Sequence, residues 1–299
     1  MEYSLIILNK TALMLIFMMV GFVFYKAKLF TKDNTKALTN LLVKAILPCV
    51  VIHSFMIDYS SEGVKILADG LLGAIVVLAL GTLTCYFVFG KDILSRVGVT
   101  FPNAGFCGIP IVAAAFGSEY VFYMMPLQIL IVIYQYTYSA FMFKKEKGGL
   151  VKELLTNPLL ISAIIGLSIY FLNLNSSIPS LAKEAIDGMF NIQTPLAMIV
   201  LGTYLAQINI NNLHIKKDLI ASFIRLIFIP VCVGLIFKIL SISEMTKNVL
   251  LICTSCSIGS NIAVYAQMFD GDYIYACEVV SFSMILSAIT IPLIIALFV

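Results

Sequence analysis

The residues best suited to chemistry in this chain are neutral amides set among bare peptide groups. Asn103 stands in F-P-N-A-G-F-C-G-I-P-I-V-A-A-A-F-G, residues 101–117, with Ala104, Gly105 and Gly108 behind it and Pro110 in mid-stretch. Pro110 removes one ladder hydrogen bond and crowds the carbonyl four residues back, while the glycines lower the cost of unwinding. A bend or break is expected there. An unpaired peptide group in hydrocarbon costs several kcal/mol, so a broken helix persists only where protein or a watery cavity covers it. Its half-helix ends then act as ligands, N-terminal N–H groups for anions and C-terminal carbonyls for cations. Asn103 adds a neutral donor and acceptor beside them. The plainer alternative is a packing kink capped by an asparagine.

A second stretch occupies the matching place in the other half. One constant shift lays F-G-S-E-Y, 116–120, over F-D-G-D-Y, 269–273, and sets Asn103 over Cys256 and Gly108 over Asn261. The second stretch reads S-C-S-I-G-S-N-I-A-V-Y-A-Q, where Gly259 and Ser260 can loosen the backbone without a proline. Paired interrupted helices in corresponding positions point to a transporter binding site.

P-N-A-G-F-C-G-I-P followed by F-G, with N-I-A-V-Y-A-Q-M-F-D-G-D in the second half, resembles the paired signatures of the auxin efflux carrier family. The resemblance covers essentially the whole chain in segment number and order, although only the two motifs are distinctive. Family members usually carry a proline near Ser257, and the plant carriers another near Ile262, so the second crossover here is expected to be shallower. The resemblance implies two inverted five-helix repeats and carriage of organic anions. It implies a site where the fourth and ninth spans cross, with Asn103, Ala104 and Gly105 offering amides to a carboxylate and Pro110 setting the break. Gly108 lies in the same motif, and Ser257, Gly259, Ser260 and Asn261 would form the opposing wall. It further implies a scaffold of spans 1, 2, 6 and 7, a moving unit of spans 3–5 and 8–10, and a homodimer.

Charged residues at membrane depth are the other candidates. Asn40, Lys44 and Pro48 share one helix face, and Asp187, Asn191 and Pro195 repeat that spacing in the second half. Pro48 and Pro195, like Pro110, are expected to interrupt their helices. Lys44 lies within an apolar run, where an ammonium needs a carboxylate, a carbonyl or an anionic substrate. It is read either as the fixed charge that attracts an anion or replaces a coupling cation, or as the partner of Asp187 or Glu278, or as snorkelling. Glu278, in the last span, either carries a coupling proton or bonds a neighbouring broken helix. Arg225 and Lys238 are read as snorkelling at helix ends, and His53 as a satisfied interior histidine with pH sensing as the lesser option.

These residues need a bilayer around them. The chain is 61% hydrophobic and 12% charged with mean hydropathy +1.03, far from the roughly 25% charged residues of soluble proteins. The length supports an all-α polytopic fold of ten spans, near 4–25, 37–56, 66–89, 98–117, 120–143, 157–173, 181–205, 219–240, 247–269 and 273–298. Residues 4–25 are long enough to span, and no cleavage signal follows. Lys26, Lys28, Lys32, Lys36, Lys91, Arg96, Lys144, Lys145, Lys147, Lys152, Lys216 and Lys217 fall in loops on one side. By the positive-inside rule that side is cytoplasmic and both termini face outward. Five spans per half make residues 1–145 and 146–299 repeats of opposite orientation, without appeal to any family.

Several classes drop out. A net charge of +3 with basic residues confined to short loops speaks against a nucleic-acid partner. No H-E-x-x-H, G-x-S-x-G or Walker loop occurs, and no metal or cofactor site is expected. The seven cysteines, Cys253 and Cys256 included, read as inert small hydrophobes. The expectation is therefore a secondary carrier of small carboxylates in the plasma membrane. An inside-negative membrane expels a monovalent anion with about 2.3 kcal/mol per 100 mV, so uncoupled export is the economical default. A proton- or sodium-coupled symporter or antiporter is the alternative, and a sensor or scaffold the remote one.

Overall fold

A computed structural model describes residues 2–142, 152, 155–207, 214–268 and 271–298. Among the described residues the chain is helical and without strands, and six helices are long and apolar enough to cross a membrane. The helices are α1 (Glu2–Lys26), α2 (Lys32–Phe55), α3 (Ser61–Phe89), α4 (Ile93–Thr100), α5 (Ala104–Ala115) and α6 (Val121–Met142). There follow α7 (Pro158–Phe171), α8 (Ser180–Ala206), α9 (Ile215–Ile239), α10 (Glu244–Thr254), α11 (Asn261–Met268) and α12 (Tyr273–Phe298). Each stretch expected to span coincides with a helix, except that 98–117 and 247–269 are each split in two, as α4/α5 and α10/α11. The basic connection 144–156 lies largely outside the described residues.

The starts follow from local chemistry. Thr31 and Asn34 form a reciprocal capping box on α2, and the hydroxyls of Ser60 and Ser243 accept from backbone N–H groups at the starts of α3 and α10. Asp92 and Asn157 do the same for α4 and α7. Apolar side chains cover α1 and α3 outward, among them Ile16, Val23, Leu71, Leu83 and Phe87, as lipid contact requires.

The helices pack in two overlapping groups, joined where α1 meets α12 and α5. α1 lies along α8 so closely that a Cβ on Gly202 would stand 1.8 Å from the Met18 carbonyl, so only glycine fits. The C-terminal half of α2 packs on α7 and α8. In the other group α3 packs on α4, α6, α9 and α10, and α12 on α1, α9 and α11.

The prolines behave differently from expectation. Pro48 and Pro110 do not interrupt their helices. Each follows a five-residue π-turn, Leu42–Ile46 in α2 and Ala104–Gly108 in α5, and Pro230 follows a third, Ile224–Phe228 in α9. In each case the residue before the proline donates its N–H five residues back, to Leu42, Ala104 or Ile224. The wider turn moves the carbonyl that the ring would strike, so the helix continues. Pro195 sits inside unbroken α8.

Candidate functional site

The first break is made by Pro102 rather than Pro110. A proline pushes the residue before it out of the helical region, and Phe101 is accordingly extended at φ −103°, ψ 123°. The second break lies between Thr254 and Asn261. The two meet: Pro102 and Ile258 form an antiparallel bridge, the Asn103 N–H donates to the Ser257 carbonyl (2.8 Å), and the Gly259 N–H donates to the Phe101 carbonyl (3.0 Å). A Cβ on Gly259 would stand 3.2 Å from that same carbonyl, so the backbones approach tightly there. The crossover thus supplies its own hydrogen bonds where lipid supplies none.

The crossing has two unlike sides. On one, α5 begins at Ala104, leaving its first-turn N–H groups without helical partners, and α11 begins at Asn261, where the Ile262 and Ala263 N–H groups bond the Gly259 and Ser260 carbonyls (3.2 Å each). A cavity offers water about 40 Å³ there, lined by Pro102, Asn103, Gly105, Gly259, Ser260 and Asn261, with Gln128 and Gln135 of α6 and apolar Val43 and Leu47 of α2. That is room for about three waters at ~10–15 Å³ each. The lining includes no ionisable side chain among the described residues. Its amides are partly unspent. Asn103 Nδ2 and Gln128 Oε1 are buried without a partner, and Asn261 Nδ2 donates to Gln135 Oε1 (3.1 Å). Gln193 of α8 donates to the Gly105 carbonyl (2.8 Å), in the π-turn ahead of Pro110, which tethers α5 to α8. Buried amides with free valences in a hydrated gap are equipped to take a polar ligand.

On the other side α4 ends at Thr100 and α10 at Thr254, and Arg225 meets both. Its guanidinium donates to the carbonyls of Val99 (3.1 Å), Thr100 (3.2 Å) and Thr254. Arg225 is wholly buried in the π-turn of α9, so it does not snorkel, whereas Lys238 is exposed with its ammonium 5.3 Å from the Phe298 ring centroid.

The remaining candidates fall elsewhere. Ala104 and Gly108 are buried beside the cavity without lining it, Pro110 lies deeper in α5, and the Ser257 hydroxyl points to Met284 Sδ (3.4 Å). Lys44 is exposed and outside the lining, and forms an ion pair with neither Asp187 nor Glu278. One exposed face also holds Asn40, which lines a vestibule of about 420 Å³ with Lys32, Lys36, Thr39, Tyr204 and Tyr273. Asp187 instead meets His53 (3.3 Å), itself stacked on Phe190, at a second opening of about 290 Å³, and Asn191 is exposed on α8. Glu278 does not bond a broken helix. It accepts from the backbone N–H of His214, lies 3.2 Å from His214 Nδ1 and faces buried Asp218.

Sequence reasoning missed Gln128, Gln135 and Gln193. The first two stand seven residues apart in an apolar helix, which puts both on one face, and a polar residue at membrane depth is a functional candidate in its own right.

Apolar spanning helices, two broken ones that cross, and a cavity of unspent amides at the crossing define the class: a multi-pass membrane transport protein. The chain belongs to the membrane transport protein family, that of the auxin efflux carriers, whose pattern matches residues 6–153 and 147–295. It is similar to the uncharacterized transporter MJ1031 of Methanocaldococcus jannaschii, with 23% identity over 280 residues, covering 87% of this chain and 88% of that protein. Transport, rather than catalysis, is the family's activity.

Proposed function

We propose that the protein is a secondary carrier of small organic anions that binds a carboxylate at the crossing of its two broken helices. The observation that carries this reading is the convergence of two half-helix N-termini and the amides of Asn103, Gln128, Gln135 and Asn261 on a cavity without an ionisable side chain. N-terminal dipoles favour an anion there, and neutral donors favour one that is already charged and leaves again. Ser260 supplies a hydroxyl to the same wall.

The transport cycle proposed is of the elevator kind. Ten spans in two inverted repeats, 1–145 and 146–299, would place α1, α2, α7 and α8 in a static scaffold. The helices α3–α6 and α9–α12 would move as a unit that carries the crossing past it, in elevator fashion. A cavity with room for about three waters suits a contracted state, and the vestibule on the lysine-rich side gives the way in from the cytoplasm. Scaffold surfaces would pair two copies in the plasma membrane, with both termini outside. Export down the membrane potential needs no coupled ion.

A screen of carboxylic acids by thermal shift on the purified protein tests this, repeated with Asn103→Ala. A hit that loses about tenfold or more in affinity, the value of one hydrogen bond to a charged group, supports the site. A hit indifferent to the substitution moves the site elsewhere. A second reading, proton coupling, is favoured by the buried Glu278–Asp218 pair with His214 against it. It predicts accumulation driven by an imposed pH gradient at zero potential, and silence of that gradient removes it.

A further inference from the structure

The C-terminal side of the crossing is as specialised as the side facing the cavity. Val99 and Thr100 end α4 and Thr254 ends α10, so their carbonyls belong to the last turns, where helical geometry provides no N–H partner and the dipole is negative. Two such ends meet at one point in the protein interior. That arrangement is a cation site in all but its occupant, because main-chain carbonyls are what replace the hydration shell of a monovalent cation.

The occupant is a side chain. Arg225 is 0% exposed, and its two terminal nitrogens bond all three carbonyls. Among the described residues no carboxylate lies within ion-pair distance of it, and its Nε has no partner. The ionisable groups that act on it are the thiols of Cys85 and Cys256, which are small hydrophobes in such surroundings. A buried guanidinium without a counter-ion is costly unless dipoles replace its water, and here the dipoles come from both broken helices. It is also permanently charged and presents a planar fork that can reach several acceptors. The π-turn ahead of Pro230 sets the register that aims it.

We infer that Arg225 is a built-in cation: it occupies, from α9, the carbonyl site at the back of the crossing that a free alkali ion would otherwise take, so the carrier does not couple to sodium. This rests on the reading of the crossing as the anion site, and it removes sodium from the coupling ions that the sequence left open. The two C-terminal dipoles are compensated without a free ion, because α9 packs on α4 and α10 and Arg225 bonds the ends of both. Anion binding on the N-terminal side then needs no ion to be bound behind it.

The test uses cations alone, so it stands apart from the carboxylate screen. The purified wild-type protein is melted in sodium chloride and in choline chloride of equal ionic strength, and the same is done with Arg225→Ala and Arg225→Lys. The wild type is expected to melt at one temperature in both salts. Arg225→Ala is expected to melt lower in choline, and guanidinium or sodium at matched ionic strength is expected to recover part of the loss. Arg225→Lys keeps a fixed charge and is expected to stay indifferent to sodium. A wild type stabilised by sodium over choline overturns the inference. So does a folded Arg225→Ala protein that neither cation restores, which leaves Arg225 as a structural clamp only. Should Arg225→Ala fail to fold, the wild-type and Arg225→Lys arms decide, and sodium dependence in either one rejects the built-in cation. A carboxylate hit unaffected by Asn103→Ala would sink the anion site while leaving these melts readable.

Discussion

The two interruptions at the crossing solve the same problem with different means. The first is written into its own few residues: Pro102 forces Phe101 to extend whatever packs nearby. The second has no proline, and its extended residues are held from outside. Ile258 donates to Ser283 Oγ on α12 (3.1 Å), Gly259 donates to Phe101, and the Ser257 carbonyl accepts from Asn103. One break is therefore imposed locally and the other is induced by tertiary contact with the first. The asymmetry teaches that a crossover needs only one strong breaker, provided its partner is soft enough to follow.

The comparison can be broken where both halves depend on one group. Arg225→Met leaves three carbonyls, from both interrupted helices, buried without a donor. At about 1–3 kcal/mol for each such group, the substitution is expected to cost about 3 kcal/mol or more, read as a large fall in thermal midpoint in detergent. An unchanged midpoint would show that the two helix ends find other partners. The next effect falls on the second break alone. Gly259→Ala places a Cβ 3.2 Å from the Phe101 carbonyl, and strain of about 1–3 kcal/mol is expected, with matching loss of any carboxylate binding found by the screen.

Finer substitutions sharpen the asymmetry. Ser283→Ala removes the outside support of Ile258 and is expected to cost about 1 kcal/mol. Hydrogen exchange should then quicken at the Ile258 amide, while the Asn103 amide changes little. Equal quickening at both would mean that the breaks open as one unit. The smallest effect concerns the cap of α4. Burial alone would raise the Asp92 carboxyl, but the bonds from Lys217 (2.8 Å) and Ser95 hold it below its ordinary value. A lowered carboxylate stabilises the fold above its unfolded value near about pH 4, and that support is lost as the pH falls through the lowered one. Asp92→Asn should lower the neutral-pH midpoint slightly, by under about 1 kcal/mol for a pair partly open to solvent, and flatten its acid dependence. A variant as acid-sensitive as the wild type would remove the pair from the account.

Much of this was legible in the sequence, and the misreadings have physical causes. Composition and the lengths of apolar runs placed the helices, because a bilayer tolerates few alternatives. The stretches 101–117 and 254–269 were recognisable as interrupted, and Asn103, Gly105, Gly259, Ser260 and Asn261 do meet at one cavity. The break was assigned to Pro110 because a proline in mid-run reads as a breaker. A π-turn absorbs it there, as at Pro48, and the effective proline is the one that stands at the helix end. Lys44 was taken as buried because its neighbours in sequence are apolar, yet its face of α2 is exposed. Arg225 was least legible of all. Its partners are main-chain carbonyls of residues more than a hundred positions away as well as Thr254, and a carbonyl leaves no mark on residue type.

The central claim is that an anion sits among neutral amides where the broken helices cross. The most direct measurement is a structure, by electron cryomicroscopy in lipid nanodiscs, of the protein with a carboxylate from the thermal-shift screen. The account predicts density for the acid within hydrogen-bond distance of the Asn103 and Asn261 amides, beside the first turns of α5 and α11. Density instead in the vestibule against Lys36 and Asn40, with the crossing still closed and holding only water, would contradict it.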